Sequence, residues 1–298
     1  MNFKNSDQLK SYLKKESLRL NISITNVYNT FFSRLLLGRL QKYNLSNIIV
    51  KGSFAQLVHL GKIVRPITDV DITTKGTHRE PLIELINAMC DDETDNISYE
   101  FNRKPKVTNT GIFKIGLKAN FGKISHPLGI DYRENHPCIY EIKEKEVPKI
   151  FTIDETYQVL VPSIEETLAE KLCIIAESNK PNIPNTRVKD FYDIYQLHGG
   201  NYDLEKFSFY FEKMLKDRAK VNVADVSTEM LSKKFIDEHQ KYWDESKKSY
   251  EFLDNEIDLE GAVYYTRGVL SEQLQKIRMG KNKVYKIKWC FKHHFFNF

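Results

Sequence analysis

Asp69 and Asp71 stand two positions apart in TDVDITT (68–74), where Val70 and Ile72 alternate with them. Alternation of this kind marks a half-buried strand, so both carboxylates point to the same side. Like charges that close repel, and the pair is costly unless a cation or a proton shares the site. Oxygen donors favour a hard ion, Mg2+ or Mn2+. Asp131, in PLGIDYRE (127–134), lies opposite Leu128, Ile130 and Tyr132 on a second alternating stretch and is placed to add a third carboxylate. Two metal ions held by Asp69, Asp71 and Asp131 would clamp the attacking and leaving oxygens of a phosphoryl displacement. Gly52 and Ser53 begin 17 positions before Asp69. Gly52 permits a tight turn after NIIVK, and Ser53 opens a helix whose first N–H groups and positive dipole end suit a phosphate. Either feature alone is commonly an ordinary turn or a solvated strand face. Their order, spacing and flanking strands together point to phosphoryl chemistry.

The second half holds two further candidates. In ETLAEKLCIIAE, Lys171 borders the apolar stripe of Leu168, Leu172 and Ile175. Such a lysine either snorkels its amine to water or aims a cation at a triphosphate across a cleft. In RVKDFYDIYQL, Asp190 shares a face with Ile194 and Leu197, while Val188, Phe191 and Tyr195 form another apolar face. A helix apolar on two sides is largely buried, so Asp190 needs a partner, structural or catalytic. Asp193 receives no role beyond local capping or pairing.

These residues must be positioned by surrounding elements. Helical spacing covers residues 7–42, a helix starts at Ser53, and REPLIELINAMC (79–90) is amphipathic. IFKIGLKANF (112–121) alternates, with Lys114 and Lys118 opposite Phe113, Ile115 and Leu117. The first half therefore reads as mixed α/β with three to five strands. After Pro162 the pattern is helical. Ser163 with Glu166 forms a capping-box signature, and further helices cover 185–197, 203–219, 226–249 and 258–278. The expected organisation is an α/β domain over 1–155, a helical domain over 156–278, and a basic aromatic tail over 279–298 that is disordered or loosely packed.

Bulk composition excludes several classes. The chain has 298 residues, 41% apolar and 29% charged, with a formal charge of +5. That is enough apolar material for a substantial core, and the mild basic bias permits an anionic partner without requiring one. Cys90, Cys138, Cys173 and Cys290 are scattered, which argues against a disulfide framework or a cysteine zinc site. The eight histidines show no ligand spacing; only His293 and His294 are adjacent. The N-terminus is polar and no apolar run spans a bilayer, so a cytoplasmic protein is expected.

Strand, Gly-Ser turn, helix and an Asp-x-Asp strand form the arrangement of the nucleotidyltransferase superfamily. The blocks sharpen that likeness. VKGSFAQLVHLGKIVRPITDVDITTKG, PLGIDYREN, and ETLAEKL followed by NTRVKDFYDIY resemble the AbiEii/AbiGii abortive-infection toxin family, relatives of the MenT-type toxins, over roughly residues 10–220. The resemblance implies a nucleotidyltransferase-like mixed-sheet N-terminal domain with a helical C-terminal domain, an α+β fold. It implies NTP as substrate, transfer of a nucleotide to an RNA acceptor, the tRNA 3′ end, and neutralisation by a separately encoded antitoxin. A monomer without membrane association is expected. Carried over by position, Gly52, Ser53, Arg65 and Lys171 would bind the nucleotide. Asp69, Asp71 and Asp131 would hold the metals, and Lys171 and Asp190 would complete the catalytic set. Many relatives carry Ser or Thr two positions before the first aspartate; here that position is Ile67, with Thr68 following. Two competing readings keep the site but change the outcome: a small-molecule acceptor, or NTP binding without catalysis that acts through a protein partner.

Overall fold

The structure, a computed structural model, describes residues 3–43, 47–74, 79–90, 96–109, 111–134, 136, 139–177, 187–249 and 256–279. The chain opens with α1 (Ser6–Leu20), whose N-terminus is capped by the Asn5 side chain. It ends at Asn21, in the left-handed conformation at φ 55°. Asparagine tolerates that conformation better than most residues and stops a helix there. Ser23 then caps α2 (Ile24–Lys42). The helical stretch expected over 7–42 is therefore two helices.

A seven-stranded sheet follows, in the order β3-β4-β5-β2-β1-β7-β6. Its strands are β1 (Ile48–Val50), β2 (Val70–Thr74), β3 (Ser98–Val107), β4 (Phe113–Phe121), β5 (Ile124–Glu134), β6 (Ile142–Glu146) and β7 (Gln158–Pro162). β2 runs parallel to β5 and β1 parallel to β7; the other neighbours are antiparallel. Helix α3 (Gly52–Leu60) joins β1 to β2, and α4 (Arg79–Cys90) precedes β3. Seven strands exceed the three to five expected. The additional ones include both sheet edges. β3 carries Pro105 and two register shifts, and β6, IKEKE, is mostly charged. Edge strands are held by pairing on one side only and need no apolar alternation, so periodicity does not reveal them.

The helical half comprises α5 (Ile164–Glu177), α6 (Lys189–His198), α7 (Leu204–Met214), a π-helical turn (Leu215–Ala219), α8 (Lys233–Ser249) and α9 (Leu259–Met279). Buried apolar side chains fall into two clusters. One runs from Leu9 to Val161 and packs α1–α4 with the sheet. The other runs from Ile164 to Leu274 and takes in Val64 from the first half. β7 lies beyond residue 155, yet it pairs with β1 and β6 and buries Val159 and Val161 in the sheet's cluster. Cys90 and Cys173 are free thiols. Cys138, Cys290, His293, His294 and the tail beyond Met279 lie outside the described residues.

Candidate active site

β2 and β5 lie parallel with Asp71 directly opposite Asp131. Asp69 lies in the bend that leads into β2 rather than on the strand expected over 68–74, and the three carboxylates bring oxygens within 4.8 Å of one another. The β2–β5 register and this bend, rather than strand alternation alone, gather the aspartates that sequence spacing singled out. Burial, then the neighbouring charges of Asp69 and Asp131, push the Asp71 carboxyl up to about 6. An all-oxygen donor set of this anionic density fits a hard divalent cation. Thr68 Oγ1 donates to Asp69 Oδ1 at 3.0 Å, while Ile67 is buried. The hydroxyl next to the trio is thus Thr68, which orients one carboxylate.

Gly52 is locked against this trio. Its φ is +61°, and a Cβ placed there would stand 1.9 Å from Asp71 Oδ2. The Lys51 amide donates to the Asp71 carbonyl at 2.8 Å. Lys51 offers no side-chain acceptor to the start of α3, and Ser53 lies buried in that first turn. The first N–H groups of α3 therefore have no side-chain cap and lie beside the carboxylates, an arrangement suited to an anion bridged to a cation.

Lysine side chains flank the trio. Lys114, the register partner of Asp131 on β4, places Nζ 2.7 Å from Asp131 Oδ2. Lys51 Nζ lies 2.8 Å from Glu170 Oε2 on α5 and 2.8 Å from His136 Nε2. Glu170 also accepts from Arg218 Nη1 at 3.1 Å and lies 3.1 Å from His136 Nε2. Burial would raise the Glu170 carboxyl, but Lys51, His136 and Arg218 outweigh it and hold the group well below its usual range. Sequence reasoning assigned nothing to this cluster. Its one legible hint is Lys51 directly before the Gly-Ser turn.

Lys171 and Asp190 meet, and a third residue organises them. Lys171 Nζ lies 3.2 Å from Asp190 Oδ1 and 2.6 Å from Asp193 Oδ2. Arg65, in the chain between α3 and β2, grips Asp193 with two bonds, Nε–Oδ1 at 2.8 Å and Nη2–Oδ2 at 3.1 Å. Arg187 Nε stands 2.7 Å from Asp190 Oδ2. Asp190 and Asp193 are both fully buried. Burial alone would push the Asp193 carboxyl up; Arg65 and Lys171 overcome this and hold it far below the usual carboxylate range. Lys171 is likewise raised by its aspartates against its burial. Tyr192 seals the same junction by donating to the Val64 carbonyl at 2.8 Å. Asp193, given no role by sequence, joins the sheet's connecting segment to the helical half. Its i+3 spacing from Asp190 was the available signal.

Ser163 and Glu166 form half of the expected capping box. Ser163 Oγ accepts from the Glu166 amide at 3.2 Å. The Glu166 carboxylate instead accepts from the Tyr140 and Glu141 amides, tying α5 to the segment before β6.

Over residues 34–264 the sequence matches the family described as Nucleotidyl transferase AbiEii toxin, Type IV TA system. The chain belongs to the AbiEii family. Its members are nucleotidyl transferase toxins of toxin–antitoxin systems, and the mixed sheet agrees with that fold. The crystal structure of JHP933 from Helicobacter pylori superposes with a TM-score of 0.52 at 13% identity, covering 87% of this chain and 97% of that one. A putative nucleotidyltransferase from H. pylori gives 0.49 at 13% identity, covering 84% and 97%. The antibiotic-resistance factor ANT(2'')-Ia gives 0.39 at 15% identity, covering 65% and 95%. No curated protein shows significant similarity to the sequence. Among the described residues of this AbiEii protein, no helix is long and apolar enough to cross a membrane.

Proposed function

We propose that this AbiEii protein transfers a nucleotide from an NTP to an RNA acceptor, the tRNA 3′ end, at the Asp69–Asp71–Asp131 site. The observation that carries this reading is the interlocking of Gly52 with Asp71, which puts an open helix N-terminus and three carboxylates in one place. Asp69, Asp71 and Asp131 would hold Mg2+ or Mn2+, which when bound supplies neutralisation of charge developing at the reacting phosphate.

The first turn of α3, with Gly52 and Ser53, binds phosphate oxygens of the NTP through backbone N–H groups. The acceptor 3′-hydroxyl attacks the α-phosphorus, the bond to the β-phosphate breaks, and pyrophosphate leaves. Asp131 would complete the metal site or take the hydroxyl proton, with Lys114 Nζ 2.7 Å from its carboxylate. Arg65 and Lys171, braced by Asp190 and Asp193, form the rigid wall on the helical side of the nucleotide. Lys51 adds positive charge beside Asp71, where it opposes the carboxyl's upward shift. Charge placed in advance where it develops in the transition state is the main source of rate in such transfers.

The test is incubation of the purified protein with total tRNA, MgCl2 and each α-labelled NTP in turn. Labelled tRNA should form with the wild type and be lost with Asp71→Ala. Label on a small molecule instead would redirect the acceptor. Growth inhibition that survives Asp71→Asn would sink the catalytic reading and favour action through a bound protein.

A further inference from the structure

One row of the sheet runs from the catalytic trio to an edge. Lys106 on β3 pairs with Lys114 on β4, Lys114 with Asp131 on β5, and Asp131 with Asp71 on β2. Paired residues project to the same face, so this row lies on one surface. Strands are spaced by about 4.8 Å, which puts Lys106 roughly 14 Å from Asp71 along the row. Arg103 pairs with Gly116 in the adjoining row, and Gly116 pairs with Gly129. With no side chain at Gly116, Arg103 lies flat across the sheet; a Cβ there would stand 2.8 Å from Arg103 Nε. Lys118 projects from the same face, 3.8 Å from Glu100. Arg103, Lys104 and Lys106 are exposed. Among the described residues no carboxylate pairs with any of these three.

We propose that this exposed basic face of β3 and β4, anchored by Arg103 and Lys106, tracks the phosphodiester backbone of the RNA acceptor as its 3′ end enters the Asp69–Asp71–Asp131 site. The proposal rests on the RNA-acceptor reading above and names the path the acceptor takes. The face is continuous with the site, since Lys114 touches Asp131 and Lys106 is the next residue outward. Its charge is complementary to a polyanion: Glu100 is the one acidic side chain that β3 and β4 place on it. The glycine pair at Gly116 and Gly129 keeps the surface beside Asp69 low, with Asp69 Cβ 3.8 Å from where a Cβ at Gly129 would lie. A backbone strand can therefore lie close to the sheet. Arginine laid along such a surface presents several N–H donors to phosphate oxygens.

The test uses Arg103→Glu with Lys106→Glu, and Arg103→Ala with Lys106→Ala as a milder pair. Both sites lie on an exposed edge strand, and circular dichroism melts verify folding. Binding of fluorescently labelled total tRNA is followed by anisotropy from 50 to 300 mM KCl. The reversal pair should weaken binding at least tenfold at 100 mM salt. It should also reduce the slope of log K against log salt by about two, one per lost phosphate contact. In transfer assays the acceptor KM should rise in parallel, with the NTP KM and kcat at saturating tRNA unchanged. Unchanged affinity and salt slope overturn the proposal, whatever the catalytic result. The same holds if reversal spares RNA binding but blocks neutralisation by the antitoxin, which would assign the face to a protein. Failure of the transfer reaction itself shows separately: the wild type then yields no labelled tRNA, while the binding arm still decides the role of this face.

Discussion

At the residue scale, the site depends on close approach more than on the number of charges. Gly52 serves Asp71 by having no side chain. Gly52→Ala adds a left-handed strain of about 1–2 kcal/mol and a Cβ that collides with the Asp71 carboxylate. Because Asp71 must move, nucleotide transfer should fall about a hundredfold or more. A urea unfolding curve should show only modest destabilisation, and wild-type activity in the purified variant would refute the interlock. Asp193 is the second decisive residue. Asp193→Asn leaves Arg65 and Lys171 without their shared carboxylate, and breaking a buried pair typically costs about 3–5 kcal/mol. Asp190→Asn should cost less, about 1–2 kcal/mol, because Arg187, its second partner, is half exposed. Urea midpoints for the two variants measure the ranking, and equal midpoints would contradict it.

At the element scale, α5 links the two halves. Three acidic or basic positions on this helix reach three different parts of the chain. Glu166 holds the backbone before β6, Glu170 holds Lys51, and Lys171 joins the Arg65–Asp193 network. The π-helical turn after α7 widens the helix by one residue and carries Arg218, which reaches Glu170 and Glu177. Turns of this type are frequent at functional sites. Glu170→Gln keeps the shape but removes the charge that gathers Lys51, His136 and Arg218. Stability should drop by about 2 kcal/mol, read from urea unfolding. Amide exchange should also accelerate in the peptide spanning 51–57, which begins at Lys51. Exchange that matches the wild type would show that the cluster does not hold the Gly52 turn.

At the scale of the whole molecule, burial of histidines sets a pH limit. Burial is the main force lowering His59 and His198 to about 4. Between the unfolded value near 6.5 and these folded values, the unfolded chain binds more protons, so stability falls as pH drops. Glu166, raised by burial to about 6, works in the opposite direction over the same range. Two histidines outweigh it, and with Asp71 also raised the net loss from pH 7 to pH 5 is modest. The urea midpoint should decrease over that interval, and His198→Asn should flatten the decrease. A midpoint that rises on acidification would refute the assignment.

The sequence by itself determined the members of the acidic set and the turn beside it, because residue spacing and alternation are local, while the β2–β5 pairing brought Asp131 to Asp71. Asp69 with Asp71, the Gly52–Ser53 turn, Asp131 on its strand and the helical second half were all legible in this way. The tertiary structure alone decided which charges meet. Asp193 looked like a neighbour of Asp190 and became the hub for Arg65, 128 positions away. Glu170, to which the sequence assigned nothing, gathered side chains from three segments, Lys51, His136 and Arg218. β3 and β6 were invisible because edge strands are specified by pairing with a neighbour. Contacts between residues far apart in the chain are set by how the two cores pack, and no local pattern encodes that.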